Sequence, residues 1–236
     1  MSSPILITGG TQRIGLAIAE DLLNQNQSVI ITYRSEKPSI NELSKNGAMI
    51  IKADFSSSQG IAGFIETLKS KVSSLRAIIH NASDWGQESS TNCIDELFVR
   101  MMQVHANAPY QINFACQPML EQCDSMFTDI IHMTDYVQEK GSKKHIAYAA
   151  SKAALHNLTL SFAQLFSPKI KVNSVAPALV MFNEWDDDEY RSRALKRSLL
   201  ECVPGAQEAV KAVNFLIASE YITGQVLHLN GGRHLK

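Results

Sequence analysis

Residues 4–15 read Pro4-Ile5-Leu6-Ile7-Thr8-Gly9-Gly10-Thr11-Gln12-Arg13-Ile14-Gly15. The apolar run at 4–7 is long enough for a buried strand of a parallel sheet and too short to cross a membrane. After Gly15, apolar residues recur at helical spacing as far as Leu23. A glycine-rich turn between a strand and a helix suits a phosphate group, because the first N–H groups of a helix are unpaired and favour an anion. The alternative is a structural turn without a ligand.

Short apolar runs and helical segments alternate along the rest of the chain, which is typical of a doubly wound parallel sheet. We therefore predict an α/β fold: a Rossmann-type doubly wound parallel sheet of about seven strands, with helices on both faces. Residues 1–236 would form a single domain. Further strands are predicted at 28–34, 49–53, 76–80, 129–134 and 225–229, and helices at 60–71, 104–120, 190–200 and 206–218.

The composition narrows the class of protein. The chain has 236 residues, 45% hydrophobic and 19% charged, and a net charge of −1, which recruits neither nucleic acid nor a membrane surface. It contains no apolar run of about 18 residues and no signal-peptide pattern, so a cytoplasmic protein is expected. The four cysteines lack metal-site spacing. We expect reduced, mostly buried thiols and no metal.

The end of the second predicted strand indicates the cofactor. About 20 residues after the phosphate turn, an NAD enzyme places an acid that binds the ribose hydroxyls. This chain has Tyr33-Arg34 there. Arginine can pair with a 2′-phosphate, which favours NADPH over NADH. The alternative is that Glu36 binds the ribose and Arg34 is only solvated.

Other polar residues follow the third and fourth strands. Asp54-Phe55 could meet the adenine, although Asp54 could instead cap the helix at 60–71. Asn81-Ala82-Ser83 would line the ligand crevice. Trp85 could stack on a flat heterocycle or simply pack. Within the predicted helix 104–120, Asn107 would fix a kink near Pro109, hold a water of a proton path, or both.

Tyr148 and Lys152 form the predicted catalytic pair. Their i,i+4 spacing places them on one helix face. A phenol ionises near pH ~10, and a nearby ammonium, with the oxidised nicotinamide, should favour the phenolate by lowering its pKa. Tyr148 would then exchange protons near neutrality. Asp135 follows the fifth strand and should lie beside this pair, unless it is only a turn residue or helix cap.

The ordered set of Thr8–Gly15, Asn81-Ala82-Ser83, Asn107, Tyr148 to Lys152 and Val172-Asn173-Ser174-Val175-Ala176-Pro177 resembles the short-chain dehydrogenase/reductase superfamily over the whole chain. Asp135 stands where a catalytic serine is usual, and Arg13 where the middle glycine of the turn is usual. Both departures resemble the pteridine-reductase branch. Members of that branch reduce dihydropterins with NADPH, and some also reduce dihydrofolate weakly.

The resemblance implies a division of roles. Catalysis would involve Tyr148, Lys152, Asp135 and Asn107, and the pterin would contact Arg13, Trp85, Asp135, Tyr148 and Phe182. A homotetramer is also implied. The residues implied for NADPH/NADP+ are Gly9, Arg13, Ile14, Gly15, Tyr33, Arg34, Asp54, Phe55, Asn81, Ala82, Ser83, Tyr148, Lys152, Pro177, Leu179 and Val180.

The residue chemistry agrees with a pterin. A carboxyl group can accept hydrogen bonds from the amino and ring N–H groups of a pterin, whereas a serine hydroxyl suits a carbonyl oxygen. Hydride would go to C6 and a proton to N5, from Tyr148, Asp135 or water. Residues 178–185 would form a substrate lid with Phe182 and Trp185 as possible walls, and the acidic run 186–189 would begin a helix.

Two other functions stay open from sequence. The chain could reduce ordinary ketones or quinones, against which Asp135 and Arg13 argue. It could also be a regulator that binds NADP without catalysis, which would have little reason to keep Tyr148, Lys152 and Asn107 together.

Overall fold

A computed structural model describes residues 3–236 of the chain. Seven parallel strands form one sheet in the order β3-β2-β1-β4-β5-β6-β7, which confirms the predicted doubly wound α/β fold. The order reverses between β1 and β4, where open sheets of this type have their ligand crevice. The strands are β1 Ile5–Thr8, β2 Val29–Tyr33, β3 Met49–Lys52, β4 Ala77–His80, β5 Thr128–Met133, β6 Ile170–Pro177 and β7 Val226–Leu229.

Helices connect the strands and cover both faces of the sheet. Two buried apolar clusters lie on the two faces, one around Leu6, Ile78 and Ile130 and the other around Ile7, Ile79 and Ile131. Successive strand residues point to opposite faces, so both sets can be buried. The α-helices are α1 Arg13–Asn24, α2 Ser39–Lys45, α3 Ser58–Lys71, α4 Ile94–Met102, α5 Ala108–Glu121, α6 Val137–Lys140, α7 Ile146–Phe166, α8 Asp188–Leu195 and α9 Gln207–Ala218.

The middle of the chain differs from the prediction of one helix over 104–120. Helical structure begins at Ile94 and continues to Glu121, interrupted by a π-helical segment, Gln103–Asn107. A π-helical turn contains more residues than an α-helical turn, and such segments are frequent at functional sites. The segment therefore changes which residues face the sheet.

The structure agrees only in part with the expectation for the cysteines and agrees with that for the acidic run. The thiols are free, but only Cys116 and Cys123 are buried, whereas Cys93 and Cys202 are exposed; the expectation of mostly buried thiols was wrong for two of the four. The acidic run does begin a helix. Asp187 caps α8 by accepting from the N–H of Tyr190 at 2.6 Å, and Asp188 and Glu189 occupy the first turn.

A buried ion cluster lies at the amino end of the central strands. Asp129, at 1% side-chain exposure, pairs with Arg76 at 2.5 Å and with Lys171 at 2.9 Å. The two cations also bond carbonyl groups near the end of α9, Arg76 to Ile217 and Lys171 to Leu216. Cations at a helix C-terminus satisfy unpaired carbonyls and complement the helix dipole. This cluster therefore fastens α9 to the sheet.

Candidate active site

The turn after β1 is shaped by glycines and tied to β4. Gly9 has φ +67°, in the left-handed region, and a Cβ there would lie 2.9 Å from Cα of Ala82. A Cβ at Gly15 would lie 2.4 Å from the carbonyl oxygen of Gly9. Asn81 holds the turn by donating from Nδ2 to the Gly9 carbonyl at 2.8 Å, and Thr8 Oγ1 accepts from the N–H groups of Asn81 and Ala82. Glycine is required where the backbone approaches this closely.

Arg13 begins α1 with φ +52°, a conformation in which L-residues with a side chain are disfavoured. Its guanidinium donates to Asn183 Oδ1 at 2.8 Å and to the carbonyl of Met181 at 3.2 Å. Arg13 thus connects the phosphate turn to the segment that follows β6. Backbone strain of this kind persists where the surrounding contacts enforce it, often at ligand sites.

The ends of β2 and β3 present the residues predicted to meet the adenosine. Tyr33 is partly exposed, and a hydrogen bond with Glu36 raises the pKa of its phenol. Asp54 Oδ1 accepts from the N–H of Ser56 at 3.0 Å, which lowers the pKa of the carboxyl. The cap of α3 is Ser57, whose Oγ accepts from Gly60. The alternative role of Asp54 as that cap is therefore wrong.

Arg34, at the end of β2, forms an ion pair. Its Nη1 lies 3.2 Å from Oδ2 of Asp84, in the loop after β4. Phe55 is buried and packs edge-to-face against Phe64, with the ring centroids 5.3 Å apart. Phe55 is therefore fixed by the core.

Asp135 and Tyr148 meet at the carboxyl end of β5. The hydroxyl of Tyr148 donates to Asp135 Oδ2 at 3.1 Å, and the other oxygen of Asp135 accepts from the N–H of Val137 at 2.9 Å. Burial raises the pKa of Asp135, against the lowering effect of that N–H. Burial and the charge of Asp135 raise the pKa of Tyr148 well above its usual value.

The direction of the Tyr148 shift is opposite to the expected one. Lys152 Nζ lies 5.6 Å from the centroid of the Tyr148 ring and donates to the carbonyl of Met133 at 2.8 Å. Burial lowers the pKa of Lys152 to about 8. In the protein without cofactor, burial and Asp135 thus outweigh the ammonium. The phenol is protonated at neutral pH and can act as a proton donor.

The structure does not bring Asn107 to this group. Its amide donates to Gln103 Oε1 at 2.9 Å and accepts from Gln111 Nε2 at 3.0 Å, along the side of the helix. The buried residues of the π-helical segment are Val104 and His105, and His105 is 1% exposed. The His105 ring packs edge-on to the Tyr148 ring with centroids 5.4 Å apart. The signal in the sequence was a titratable side chain between Val104 and Ala106, two residues before Asn107.

The hydrogen bonds of His105 fix its tautomer. The backbone N–H of Asp84 donates to Nε2 at 3.1 Å, so Nε2 is an acceptor and the proton is on Nδ1. Nδ1 can then donate to Ser151 Oγ at 2.8 Å, and Ser151 donates to the carbonyl of Tyr148 at 2.7 Å. Ser83 Oγ lies 2.9 Å from Nε2. Burial and the charge of Lys152 hold the pKa of His105 well below its ordinary value, so the ring is neutral.

Comparisons with known proteins identify the family of the chain. A family model described as enoyl-(acyl carrier protein) reductase matches residues 9–234. The chain belongs to the short-chain dehydrogenase/reductase superfamily. The chain is 50% identical to dihydromonapterin reductase of Citrobacter koseri over 233 residues, 99% of this chain and 97% of the relative. It is 52% identical to that of Enterobacter sp. strain 638 over 98% of this chain and 97% of the relative.

Among solved structures, a FolM alternative dihydrofolate reductase 1 from Brucella canis, in complex with NADP, superimposes with a TM-score of 0.86. It is 26% identical, and the match covers 99% of this chain and 94% of that one. This chain therefore shares the superfamily's architecture from end to end.

Two aromatic residues predicted to contact the pterin lie in the segments after β4 and after β6. Trp85 is 60% exposed, and its ring lies 4.5 Å from the ring of His145, at the start of α7. Phe182, after β6, packs against α8, with Arg191 over its ring at 5.4 Å. Trp185 is 82% exposed and forms no wall in this conformation. The predicted lid is therefore held at Asn183 by Arg13 and at Phe182 by α8.

The remaining residues predicted for the cofactor lie at the end of β6, in the segment after it, and at the start of α1. Pro177 ends β6 and accepts from the N–H of Tyr136, while the carbonyl of Val180 accepts from Gly205. Leu179 is half-buried, and Ile14 packs on the apolar cluster below α1. In the C-terminal tail, Arg233 stacks on Tyr136 of the same chain at 4.3 Å.

A dinucleotide fits the arrangement at this edge. The N-terminus of α1 lies at this edge, and Gln12 makes no side-chain cap there, so the first N–H groups of the helix can bind an anion. Arg34 can reach the same edge from the end of β2. Within residues 3–236, no group of three or more His, Cys, Asp and Glu side chains could hold a metal ion. No helix in the described part of the chain is long and apolar enough to span a membrane.

Proposed function

We propose that this chain reduces a dihydropterin, 7,8-dihydromonapterin, to the tetrahydropterin with NADPH, and dihydrofolate at most weakly. The observation that carries the proposal is the Asp135 carboxyl beside the Tyr148 hydroxyl, 3.1 Å apart, at the crevice of a dinucleotide fold. A carboxyl group matches the amino and ring N–H groups of a pterin. The names of the relatives that are about 50% identical support the same substrate.

Residues of the glycine turn, with Asn81, Arg34 and Asp54, would hold the cofactor, and Lys152 would bond its nicotinamide ribose. Bound NADPH supplies the hydride that is added to C6 of the substrate. Asp135 would orient the pterin through its amino and ring N–H groups, and Arg13 would contact it from the opposite side. Both of the anchors of Arg13, Asn183 and Met181, lie in the predicted lid.

The proton for N5 would come from the Asp135–Tyr148 pair. The Tyr148 phenol is protonated at neutral pH because burial and Asp135 raise its pKa. When a substrate nitrogen takes the proton, the ammonium of Lys152 stabilises the phenolate that remains. His105 would act as a positioning residue, because its neutral ring contacts Ser83 and Ser151, and Ser151 donates to the carbonyl of Tyr148.

We also propose that the chain, acting as one domain over residues 1–236, assembles as a homotetramer in the cytoplasm. An apolar groove between α4, α5 and α7 supports assembly, because Phe98, Val99 and Tyr110 at its rim are 47%, 64% and 47% exposed. Monomers rarely leave so many large apolar side chains together in water.

The test is the rate of NADPH oxidation with 7,8-dihydromonapterin, dihydrofolate and a panel of ketones and quinones. We expect dihydromonapterin to have the largest kcat/KM. Asp135→Ser should lower that value at least tenfold, because the pterin loses a charged acceptor, while the dissociation constant of NADPH changes less than twofold. Faster turnover of a carbonyl than of any pterin would contradict the proposal.

The cofactor preference has a separate test. Arg34→Ala should weaken NADPH at least tenfold more than NADH, since only NADPH has a 2′-phosphate for the guanidinium. Lys37→Ala, which removes an exposed cation from the same loop, is the matched control. Equal losses for both cofactors in Arg34→Ala would mean that the 2′-phosphate is bound elsewhere.

A further inference from the structure

Asp84 lies between two arginines from different parts of the fold. Its Oδ2 is 3.2 Å from Nη1 of Arg34, at the end of β2, and 3.2 Å from Nε of Arg100, on α4. In the sheet, β1 separates β2 from β4. The Arg34–Asp84 pair therefore crosses the carboxyl end of β1, where the phosphate turn begins.

We propose that Asp84 determines how strongly the enzyme binds a 2′-phosphorylated cofactor, by competing with the 2′-phosphate for Arg34. In the free enzyme the carboxylate is the anion paired with Arg34. NADPH can use that guanidinium only after the pair opens, whereas NADH leaves it closed. The inference rests on the proposed use of NADPH and adds a residue outside the sites assigned above.

Asp84 is the fixed member of the cluster. Its Oδ1 accepts from the N–H of Trp85 at 2.8 Å, and its own N–H donates to His105 Nε2. Its side chain is 16% exposed, against 53% for Arg34 and 45% for Arg100. Long exposed side chains move at little cost, so Arg34 can leave the carboxylate while Asp84 stays in place.

Arg100 makes the exchange feasible. It contacts the same oxygen as Arg34, so the carboxylate keeps one cation when Arg34 turns to a phosphate. A half-buried carboxylate with no partner would be costly, and Arg100 removes that cost. The phosphate offers Arg34 a stronger, two-point hydrogen-bonded pair than a shared carboxylate oxygen does. Arg100 therefore favours phosphate binding without contacting the phosphate.

This arrangement predicts effects of opposite sign for two neighbouring substitutions. Asp84→Asn removes the competing charge but keeps an Oδ1 acceptor for Trp85, so it should tighten 2′,5′-ADP and NADPH about twofold to fivefold, the range typical of exposed ion pairs. Arg100→Gln leaves Asp84 with Arg34 alone and should weaken both about twofold to fivefold. On the Asp84→Asn background, Arg100→Gln should have no effect.

Isothermal titration calorimetry with 2′,5′-ADP, ADP, NADPH and NADH measures these values without turnover. ADP and NADH should change less than twofold in every variant, because neither carries a 2′-phosphate. Glu208→Gln and Lys211→Gln remove an exposed ion pair on α9, which packs against α1 and strands β5 to β7; they are the matched controls and should leave all four ligands unchanged. Added salt should reduce the Asp84→Asn effect.

Two results would overturn the proposal. Weaker or unchanged 2′,5′-ADP binding in Asp84→Asn would mean that the carboxylate orients Arg34 or has no influence on it. An Arg100→Gln effect that persists beside Asp84→Asn would mean that Arg100 contacts the phosphate directly. Dihydropterin turnover by the same wild-type preparation is measured in parallel, and its absence would count against the proposed function while the titrations alone decide the role of Asp84.

Discussion

Charged side chains lie at both ends of the central strands, and the partners that they contact differ between the two ends. At the amino end, Asp129 faces two cations, at 2.5 Å and 2.9 Å, which also bond carbonyls at the end of α9. At the carboxyl end, Asp135 accepts from a phenol and a backbone N–H. The nearby Lys152 is buried and donates to the carbonyl of Met133.

The charged groups at the amino end therefore contribute to stability, whereas those at the carboxyl end are suited to proton transfer. At the amino edge, each charge has a partner of opposite sign, and the cluster connects a helix to the sheet. At the carboxyl edge, burial lowers the pKa of Lys152 to about 8 and raises that of Tyr148 well above its ordinary value. Groups with shifted pKa values beside a crevice are candidates for proton transfer. Substitutions at the two edges should therefore affect different measurements.

Tyr148→Phe should have the largest effect of the substitutions considered. It removes the proton donor, and general acid catalysis typically contributes about 10²–10⁴-fold to the rate. We expect kcat to fall by that factor, while the dissociation constant of NADPH and the unfolding midpoint change little. Steady-state kinetics and calorimetry measure these quantities.

The control is Tyr221→Phe, which removes the hydroxyl of a fully exposed tyrosine in the loop before β7. It should keep the wild-type kcat. A Tyr148→Phe enzyme within tenfold of wild type would show that the proton comes from another group and that the carboxyl edge lacks the role given to it.

Asp129→Asn should have the reverse profile. Removing the charge leaves Arg76 and Lys171 buried with a weaker partner, and breaking a buried ion pair costs about 3 kcal/mol of unfolding free energy. Denaturant unfolding at fixed protein concentration measures the loss, and kcat per folded molecule should be unchanged. Glu208→Gln, at an exposed pair, should cost less than about 1 kcal/mol. If the Asp129→Asn protein were as stable as wild type, contacts other than this ion cluster would hold α9 against the sheet.

The pH dependence of stability should reveal Lys152. Its pKa is about 8 in the folded protein and near 10.5 when unfolded, so between these values the unfolded state binds more protons. Stability should therefore rise with pH in this window, by about 2 kcal/mol between pH 8 and 10. Above pH 10, the raised pKa of Tyr148 acts in the opposite direction.

Denaturant unfolding of the protein without cofactor at pH 8 and pH 10 measures this gain. Lys152→Met keeps the apolar part of the side chain and should remove the Lys152 contribution, so the variant should gain about 2 kcal/mol less than wild type. Equal gains in the two proteins would contradict a depressed lysine pKa.

Local patterns in the sequence predicted much of this molecule. The strand, glycine turn and helix at 4–23 are contiguous, and the spacing of Tyr148 and Lys152 follows from helix geometry alone. The position of Asp135 follows from parallel strands ending at one edge. These features need no knowledge of distant contacts.

The predictions that differ from the structure concern features that are determined by tertiary packing. A π-helical segment changes the inward face, so His105 rather than Asn107 points at Tyr148. The sign of the Tyr148 pKa shift depends on the burial of the phenol and on the Asp135 carboxyl beside it, neither of which follows from residue spacing. The pair between Arg34 and Asp84 joins residues 50 positions apart in the chain. Such contacts depend on the order of strands in the sheet.

The smallest predicted effect concerns Arg13, whose backbone is strained because its φ is positive. Arg13→Ala and Arg13→Gly both remove the guanidinium that bonds Asn183 and Met181, and both should raise KM for the pterin equally. They differ in the backbone, because φ is +52° and only glycine adopts that value without penalty. The glycine variant should therefore be more stable than the alanine variant by about 1 kcal/mol in denaturant unfolding.

The control is the same pair of substitutions at Glu20, inside α1. There the order should reverse, since glycine is about 1 kcal/mol less favourable than alanine in a helix interior. If Arg13→Ala were as stable as Arg13→Gly, the turn would relax freely, and the arginine would be there for its contacts alone.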